Sequence, residues 1–372
     1  MKIAAYIHPQ RTAISPTGVG KHMIHMVLEL TRHPGVDLKL LVSRHDLTNG
    51  HIDSRSPLAH LPAMGHPLSR TAMERLWLLT GHPKADRWVD GADWVYCPAE
   101  AYVPLRRSRF AATIHCVNWF EPELPWYNDP GMRQTRRRMG LRWKMILDRA
   151  DKVLTVSEFL KGRIHALFGT DPSRIVVVGN GVEEEFFAEG QIPGPSEFPE
   201  NRYILVVGGL TQRKGANFVF PLAAELQRRD PKMQIRIAGG SEPNYLEQSK
   251  SHPNIIHCGY QGVDTLPKLM RESVAVVFLS RYETFGIPAA EAMAAGAPAV
   301  VSSFAALPEI VGNGGLVVDA ERPDLTAEAI SRLANDMTFR QTLIESGKRR
   351  AQDFHWSAAA GRLMSAFQGG RE

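Results

Sequence analysis

The chain has 372 residues, 44 of them basic and 39 acidic, for a formal net charge of +5, with 44% hydrophobic and 22% charged residues. That length predicts two domains with real cores, and the mild positive excess suits anionic ligands or a membrane surface without being a nucleic-acid signature. No apolar run approaches the roughly 20 residues of a membrane span, the opening MKIAAYIHPQ lacks a signal-peptide core, and Cys97, Cys116 and Cys258 are scattered thiols with no C-x-x-C spacing, as expected in a reducing cytoplasm.

Met1–Ile7 reads as a first parallel strand. A loop ending in Thr17-Gly18-Val19-Gly20-Lys21 follows, then helical periodicity over His22–Thr31. Strand, glycine loop and helix make a sheet-edge site for an anion or a sugar, or else a tight turn that needs glycine. The loop is not a dinucleotide fingerprint, because Met23 stands where the third glycine belongs, and it lacks the P-loop spacing. Asp37–Ser43 is a second strand. Residues 44–75, rich in His, Pro and Arg, carry little periodicity and read as loop. Trp94–Cys97 and Phe110–His115 are further strands. His115 closes the second of them at the carboxyl end, where open parallel sheets bind ligands.

The stretch Met132–Arg149 carries Arg133, Arg136, Arg137, Arg138, Arg142, Lys144 and Arg149 against Asp148, interleaved with apolar residues. It reads either as an amphipathic helix with a solvated basic face or as a surface for anionic lipid or a lipid-linked diphosphate. Asp151–Ser157 is another strand, with Ser157 placed to cap the helix that follows. Ile175–Val178 leads into Gly179-Asn180-Gly181-Val182, and residues 189–201 (EGQIPGPSEFPEN), dense in Pro, Gly and Glu, predict an interdomain linker.

Tyr203–Val207 opens a second domain. Gly208–Gly215 (GGLTQRKG) places Arg213 and Lys214 on a glycine loop after that strand, ahead of a helix from about Asn217, an arrangement suited to a diphosphate. Gln234–Ala238 and Ile255–Cys258 are strands ending in Gly239-Gly240 and Gly259-Tyr260. Val274–Leu279 is an apolar run of buried-strand type. Ser280–Ile287 is a polar loop, Pro288 suits the first helical position, Ala289–Ala295 is helix-forming, and Gly296 stops the helix. This strand–loop–helix start exposes backbone N–H groups and a positive dipole end to an anion. Glu283 and Glu291 bracket it. A carboxylate beside a phosphate must face hydroxyls instead, and a nucleotide sugar offers hydroxyls on both sides of its diphosphate. Ala299–Ser302, a Ser303–Val311 segment with Pro308-Glu309, the strand Gly314–Asp319 and two helices finish the chain.

Glu283-x7-Glu291, with Phe285, Gly286, Pro288, Ala292, Ala295, Gly296 and Pro298, closely resembles the signature of the family-4 retaining glycosyltransferases. The resemblance implies the α/β GT-B fold: two doubly wound Rossmann-like domains facing a central cleft. It makes 1–190 an acceptor-binding domain and 200–355 the nucleotide-sugar domain, with a last helix within 356–372 packing back onto the first. It makes His115, Glu283, Lys214 and Arg213 catalytic. It gives donor binding to Gly18, Gly20, Gly209, Lys214, Thr284, Phe285, Gly286, Ile287, Glu291 and Tyr260. Glu283 is assigned to sugar hydroxyls and Glu291 to the ribose. Two positions depart from the family: Cys116 stands in place of the Asp after His115, and Gly209 in place of an Arg, which leaves Arg213 to compensate. No Asp-x-Asp pair occurs, so neither a metal nor another cofactor is expected. The implied reaction is retaining transfer from a nucleotide-diphosphate sugar, with GDP-mannose favoured, to a saccharide or lipid-linked saccharide of a cell-surface polysaccharide. The implied setting is the cytoplasm, peripheral to the inner face of the membrane through 132–149, without nucleic acid. A UDP-sugar donor, a 2-epimerase and a non-catalytic nucleotide-sugar binder are the alternatives.

Overall fold

The computed structural model describes residues 1–13, 17–188, 190 and 202–369; the expected linker at 189–201 lies outside the described residues apart from Gly190. The chain forms two compact units, one of residues 1–181 with the chain from Trp356 onward, the other Val182–His355.

The first unit holds a seven-stranded parallel sheet. Its strands are β1 (Lys2–Tyr6), β2 (Asp37–Ser43), β3 (Ala63–His66), β4 (Trp94–Cys97), β5 (Arg109–Ile114), β6 (Lys152–Thr155) and β7 (Ile175–Val177). They lie in the order β3-β2-β1-β4-β5-β6-β7. Ile3, Ala5, Leu40, Val42, Tyr96 and Leu154 meet Met23, Met26, Val27 and Leu30 of the helix Gly18–Arg32 in one core. The closing helix, Trp356–Gln368, adds Leu363 and Phe367 to that core, and Phe367 stacks on Trp94 with ring centroids 4.5 Å apart.

The second unit has a six-stranded parallel sheet, ordered β10-β9-β8-β11-β12-β13. Its strands are β8 (Tyr203–Val207), β9 (Gln234–Ala238), β10 (Ile255–Gly259), β11 (Val276–Phe278), β12 (Ala299–Ser302) and β13 (Leu316–Val318). The central strands are continuous apolar runs because helices cover both faces; β8, β11 and β12 are buried at every position. In both sheets the strand order reverses beside the first strand, at β1/β4 and at β8/β11. This is the doubly wound pattern, and its switch points open crevices at the carboxyl ends of the strands.

Asp37–Ser43, Trp94–Cys97, Tyr203–Val207, Gln234–Ala238 and Ala299–Ser302 have the bounds the sequence predicts. Residues 44–75 correct it. They contain β3 and the start of a helix, Arg70–Thr80, capped by Ser69, whose hydroxyl accepts from the N–H of Ala72. β3 is an edge strand of sequence AMGH, half-buried and without alternation, so no period marks it. Gly18 and Gly20 are also moved: they sit in the first turn of the helix Gly18–Arg32 rather than in a loop before it. Three helices rather than two close the chain: Pro323–Asn335, Met337–Ala351 and Trp356–Gln368.

The helix Ile287–Ala294 is buried on nearly all sides. Small alanines let the helix Met337–Ala351 press on it, and Gly347 has room for no more than it carries, since a Cβ there would lie 3.4 Å from Met293 and 3.0 Å from the Gly314 carbonyl. Gly286 precedes the helix at φ 91°, and Gly296 follows it at φ 77°, the left-handed stop the sequence predicts. Pro288 is the second helical residue, one later than expected.

Two glycines set the carboxyl edge of this sheet. A Cβ on Gly209, at φ 76°, would fall 1.7 Å from the Gly240 carbonyl oxygen, and one on Gly215, also at φ 76°, would fall 1.9 Å from that of Leu279. Gly209→Ala should therefore destabilise the chain by about 1–3 kcal/mol through overpacking and backbone strain. Gly361→Ala, in open helix surface, should be neutral or stabilising by up to about 1 kcal/mol. Urea unfolding of both variants checks this, and equal stability of Gly209→Ala and wild type would contradict the close approach.

Candidate active site

The loop after β8 and the loop after β11 meet at the switch point of the second sheet. The close approach of Gly215 to Leu279 joins them, and the Arg281 N–H donates to the Arg213 carbonyl at 3.0 Å. Three charged side chains converge as a result. Glu283 Oε1 receives Lys214 Nζ at 2.7 Å and an Arg213 guanidinium nitrogen at 3.0 Å, with the Ser280 hydroxyl donating at 3.4 Å. The same Arg213 nitrogen donates to the Tyr282 carbonyl at 3.2 Å. Gly208 leaves room for the lysine stem, since a Cβ there would lie 3.0 Å from Lys214 Cε.

The electrostatics follow from these contacts. Burial pushes the Glu283 carboxyl up, but the charges and hydrogen bonds of Lys214 and Arg213 outweigh it and hold the group below its ordinary value of 4.5. The cluster is thus an ionised carboxylate between two cations, with a net positive charge at the mouth of a parallel sheet. Every contact just named falls on Oε1. The loop continues through Thr284 and buried Phe285, packed edge-on against Phe354 at 5.5 Å, into the helix Ile287–Ala294. In its first turn Pro288 has no N–H, and the Ala289 and Ala290 N–H groups donate to the Gly286 carbonyl at 2.9 and 3.4 Å. Glu291, about one turn in, is buried at 3% exposure. Tyr260, after β10, is 77% exposed.

The missing arginine has a structural reason. Left-handed backbone and the Gly240 carbonyl exclude any side chain at Gly209, so Arg213 and Lys214 are the two cations this loop brings to Glu283.

At the switch point of the first unit, His115 is buried at the end of β5. Its backbone N–H donates to Glu100 Oε1 at 2.8 Å, and its Nε2 lies 2.8 Å from the Pro98 carbonyl. A carbonyl only accepts, so Nε2 carries the proton and a neutral ring keeps its lone pair on Nδ1. His22 packs edge-on against that ring, with centroids 4.7 Å apart. His22 is fully buried, and burial together with the neighbouring His115 pushes its pKa well below the ordinary range, against the hydrogen bond to Asn180. Its Nδ1 donates to Asn180 Oδ1 at 2.8 Å, which leaves Nε2 to accept from the Tyr96 hydroxyl at 3.2 Å; Thr113 then donates to Tyr96 at 3.3 Å. Neither His22 nor the role of Asn180 was visible in the sequence. One sits inside a helical period, and the other reads only as a turn residue.

The basic helix is Pro130–Arg149. Arg136 is committed internally, donating to the Trp119 and Tyr127 carbonyls at 2.8 and 3.2 Å and lying over the Tyr127 ring. Arg142 pairs with buried Glu74 at 2.9 Å and Lys144 with Asp148 at 2.8 Å. The helix's exposed cations without an ion pair among the described residues are Arg133, Arg137, Arg138 and Arg149. Among the described residues no helix is long and apolar enough to cross a membrane, and no group of three or more His, Cys, Asp or Glu is placed to hold a metal.

Comparison with known proteins agrees with this geometry. Residues 16–186 match the family described as Glycosyltransferase Family 4, and residues 189–350 the one described as Glycosyl transferases group 1. O-antigen chain mannosyltransferase B of Escherichia coli is 27% identical over 77% of this chain and 78% of its own length. Glycogen synthase of Mycobacterium tuberculosis is 27% identical over 96% of this chain and 88% of its own. The solved sucrose-phosphate synthase of Thermosynechococcus elongatus superposes with a TM-score of 0.74 at 17% identity, over 99% of this chain and 98% of that one, and so shares the fold.

The lowered Glu283 carboxyl makes a stability prediction. A group held below its unfolded value contributes stability that is fully present above about pH 4.5 and is lost as pH falls through the lower folded value. Glu283→Gln should cost about 1–3 kcal/mol at pH 7, because it strands Lys214 and Arg213. It should also flatten the acid arm of the stability profile. An acid arm identical to that of wild type would remove the ion cluster as its source.

Proposed function

Since the chain belongs to the family-4 glycosyltransferases and has their GT-B fold, we propose that it transfers a hexose, with retention, from a nucleotide-diphosphate sugar to a saccharide or lipid-linked saccharide acceptor. The observation that carries this reading is the convergence of Lys214, Arg213 and Glu283 at the β8/β11 switch point. In this reading the second unit holds the donor and the first unit the acceptor. The diphosphate lies against Lys214, Arg213 and the N–H groups of 284–287, while Glu283 takes a sugar hydroxyl and Glu291 the ribose.

The chemistry needs no enzymic nucleophile. The acceptor hydroxyl attacks the anomeric carbon on the face from which the diphosphate departs, and its proton passes to a departing phosphate oxygen. The developing negative charge meets donors already fixed in place, each contributing about 3–4 kcal/mol to lowering the barrier.

GDP-mannose is the favoured donor, supported by the Escherichia coli mannosyltransferase relative. The glycogen synthase relative, which covers more of the chain, favours a glucosyl donor as the second reading. A cytoplasmic position against the inner face of the membrane fits the exposed Arg133, Arg137 and Arg138. Replacing those three by Gln should reduce co-sedimentation with anionic vesicles, and unchanged co-sedimentation removes the contact.

A thermal-shift panel of GDP, UDP and ADP with their sugars tests the donor. A ligand at ~100 times its dissociation constant adds about 2.7 kcal/mol of stability. A selective response to GDP and GDP-mannose supports the favoured reading, a response to UDP-glucose transfers it to the second, and silence across the panel overturns the donor site. Lys214→Ala should lower kcat more than it raises KM, and a pure KM defect would contradict leaving-group stabilisation.

A further inference from the structure

The amino-terminal edge of the first sheet, opposite the edge that carries His115, is strongly basic. β4 and β5 begin there, at Trp94 and Arg109. Strands of four and six residues separate this edge from the carboxyl edge, roughly 13–20 Å at ~3.3 Å per residue. Two adjoining cavities open on it, of about 850 and 580 Å³, and they share Lys84, Arg106, Arg107, Ser108 and Arg109. Arg87 lines the first and Arg149 the second.

The carboxylates of these cavities accept backbone N–H groups. Asp86 accepts the N–H groups of Arg106, Arg107 and Ser108 at 2.7, 2.7 and 3.2 Å. Burial pushes its carboxyl up, and these bonds pull it below the ordinary range. Asp93 accepts the Lys2 N–H at 2.7 Å and Asp151 the Phe110 N–H at 2.8 Å. Among the described residues none of Lys84, Arg87, Arg106, Arg107, Arg109 and Arg149 forms an ion pair. Two of them are held by rings instead, Arg109 over Trp94 at 4.3 Å and Arg87 over Trp88 at 5.6 Å. The six cations outnumber the three carboxylates, Asp86, Asp93 and Asp151, that line the same cavities, and the remaining excess of like charge around a concavity carries a repulsion that an anion in the cavity relieves. The three Asp86 bonds fix the loop that presents Arg106 and Arg107 whether or not a ligand is bound.

We propose that this edge is a second anion-binding site, for a ligand carrying two or more phosphate groups. Guanidinium forks match phosphate oxygens bidentately, and cavities of this size admit a phosphorylated small molecule or a phospholipid headgroup. Catalysis in open parallel sheets belongs to the carboxyl edge, so a ligand here is bound and not transformed.

The test uses the full chain carrying Lys214→Ala, which weakens the phosphate grip at the other site. Isothermal titration with inorganic pyrophosphate should show binding. Adding Arg106→Gln and Arg107→Gln, which leaves the backbone N–H groups to Asp86, should weaken it at least about tenfold. A second arm compares vesicles containing cardiolipin, whose headgroup carries two phosphates, with phosphatidylcholine vesicles. Pyrophosphate binding lost in the arginine variants identifies a soluble phosphorylated ligand. Vesicle binding lost in them without pyrophosphate binding identifies a lipid headgroup. Both support the site. If neither depends on Arg106 and Arg107, the site does not exist, and donor-dependent thermal shifts in wild type stand or fall separately.

Discussion

One carboxylate oxygen organises the candidate site. Glu283 Oε1 receives Lys214 and Arg213 together, and the Tyr282 carbonyl adds a second hold on Arg213. Long cationic side chains on exposed loops lose about 1.5–2 kcal/mol of rotamer freedom when ordered. Here that cost is met by the ion cluster itself. The carboxylate also tempers the two cations, since two cations and one anion leave a single net charge. In the proposed reading such a site favours a leaving diphosphate without gripping the product as two bare cations would.

That oxygen depends in turn on close-packed backbone. Gly215 lets the β8 loop touch the Leu279 carbonyl, and Gly209 lets it touch Gly240. The helix Ile287–Ala294 is pinned by alanine packing against Met337–Ala351, and Arg340 of that second helix, almost fully buried, donates to the carbonyls of Ser273 and Val274 where the chain enters β11. Burial pushes this guanidinium down to about 10, which still leaves it charged at neutral pH. The strand that carries Glu283 is thus fixed at its start by a buried cation and at its end by glycine contacts.

Much of this was legible, and the gaps have physical reasons. Strands buried on both faces are unbroken apolar runs, so Tyr203–Val207 and Ala299–Ser302 declare themselves; β3, half-buried at an edge, does not. From the glycine loops and the Glu283–Glu291 spacing the sequence predicts an anion site, and the structure brings Glu283 together with Lys214 and Arg213. That Glu283 pairs with Lys214 was not legible, because the pairing depends on how closely two loops from non-consecutive strands approach. The same holds for His22, whose role comes from Asn180, Tyr96 and His115, each delivered by a different strand or loop. Periodicity reports which face of an element is buried, and a polar residue inside a buried face looks like an interruption rather than a contact.

Sequence charge counts hide a difference between two edges. At the carboxyl edge of the second sheet the cations are paired with a side-chain carboxylate. At the amino edge of the first sheet Asp86, Asp93 and Asp151 accept backbone N–H groups; among the described residues the six cations beside them form no ion pair, and the three carboxylates offset their charge only in part. A net charge of +5 from 44 basic and 39 acidic residues looks mild, yet it is placed unevenly, with six cations against three carboxylates at this one edge. What each carboxylate is hydrogen-bonded to divides the two edges, one built on side-chain ion pairs and the other on cations left without them.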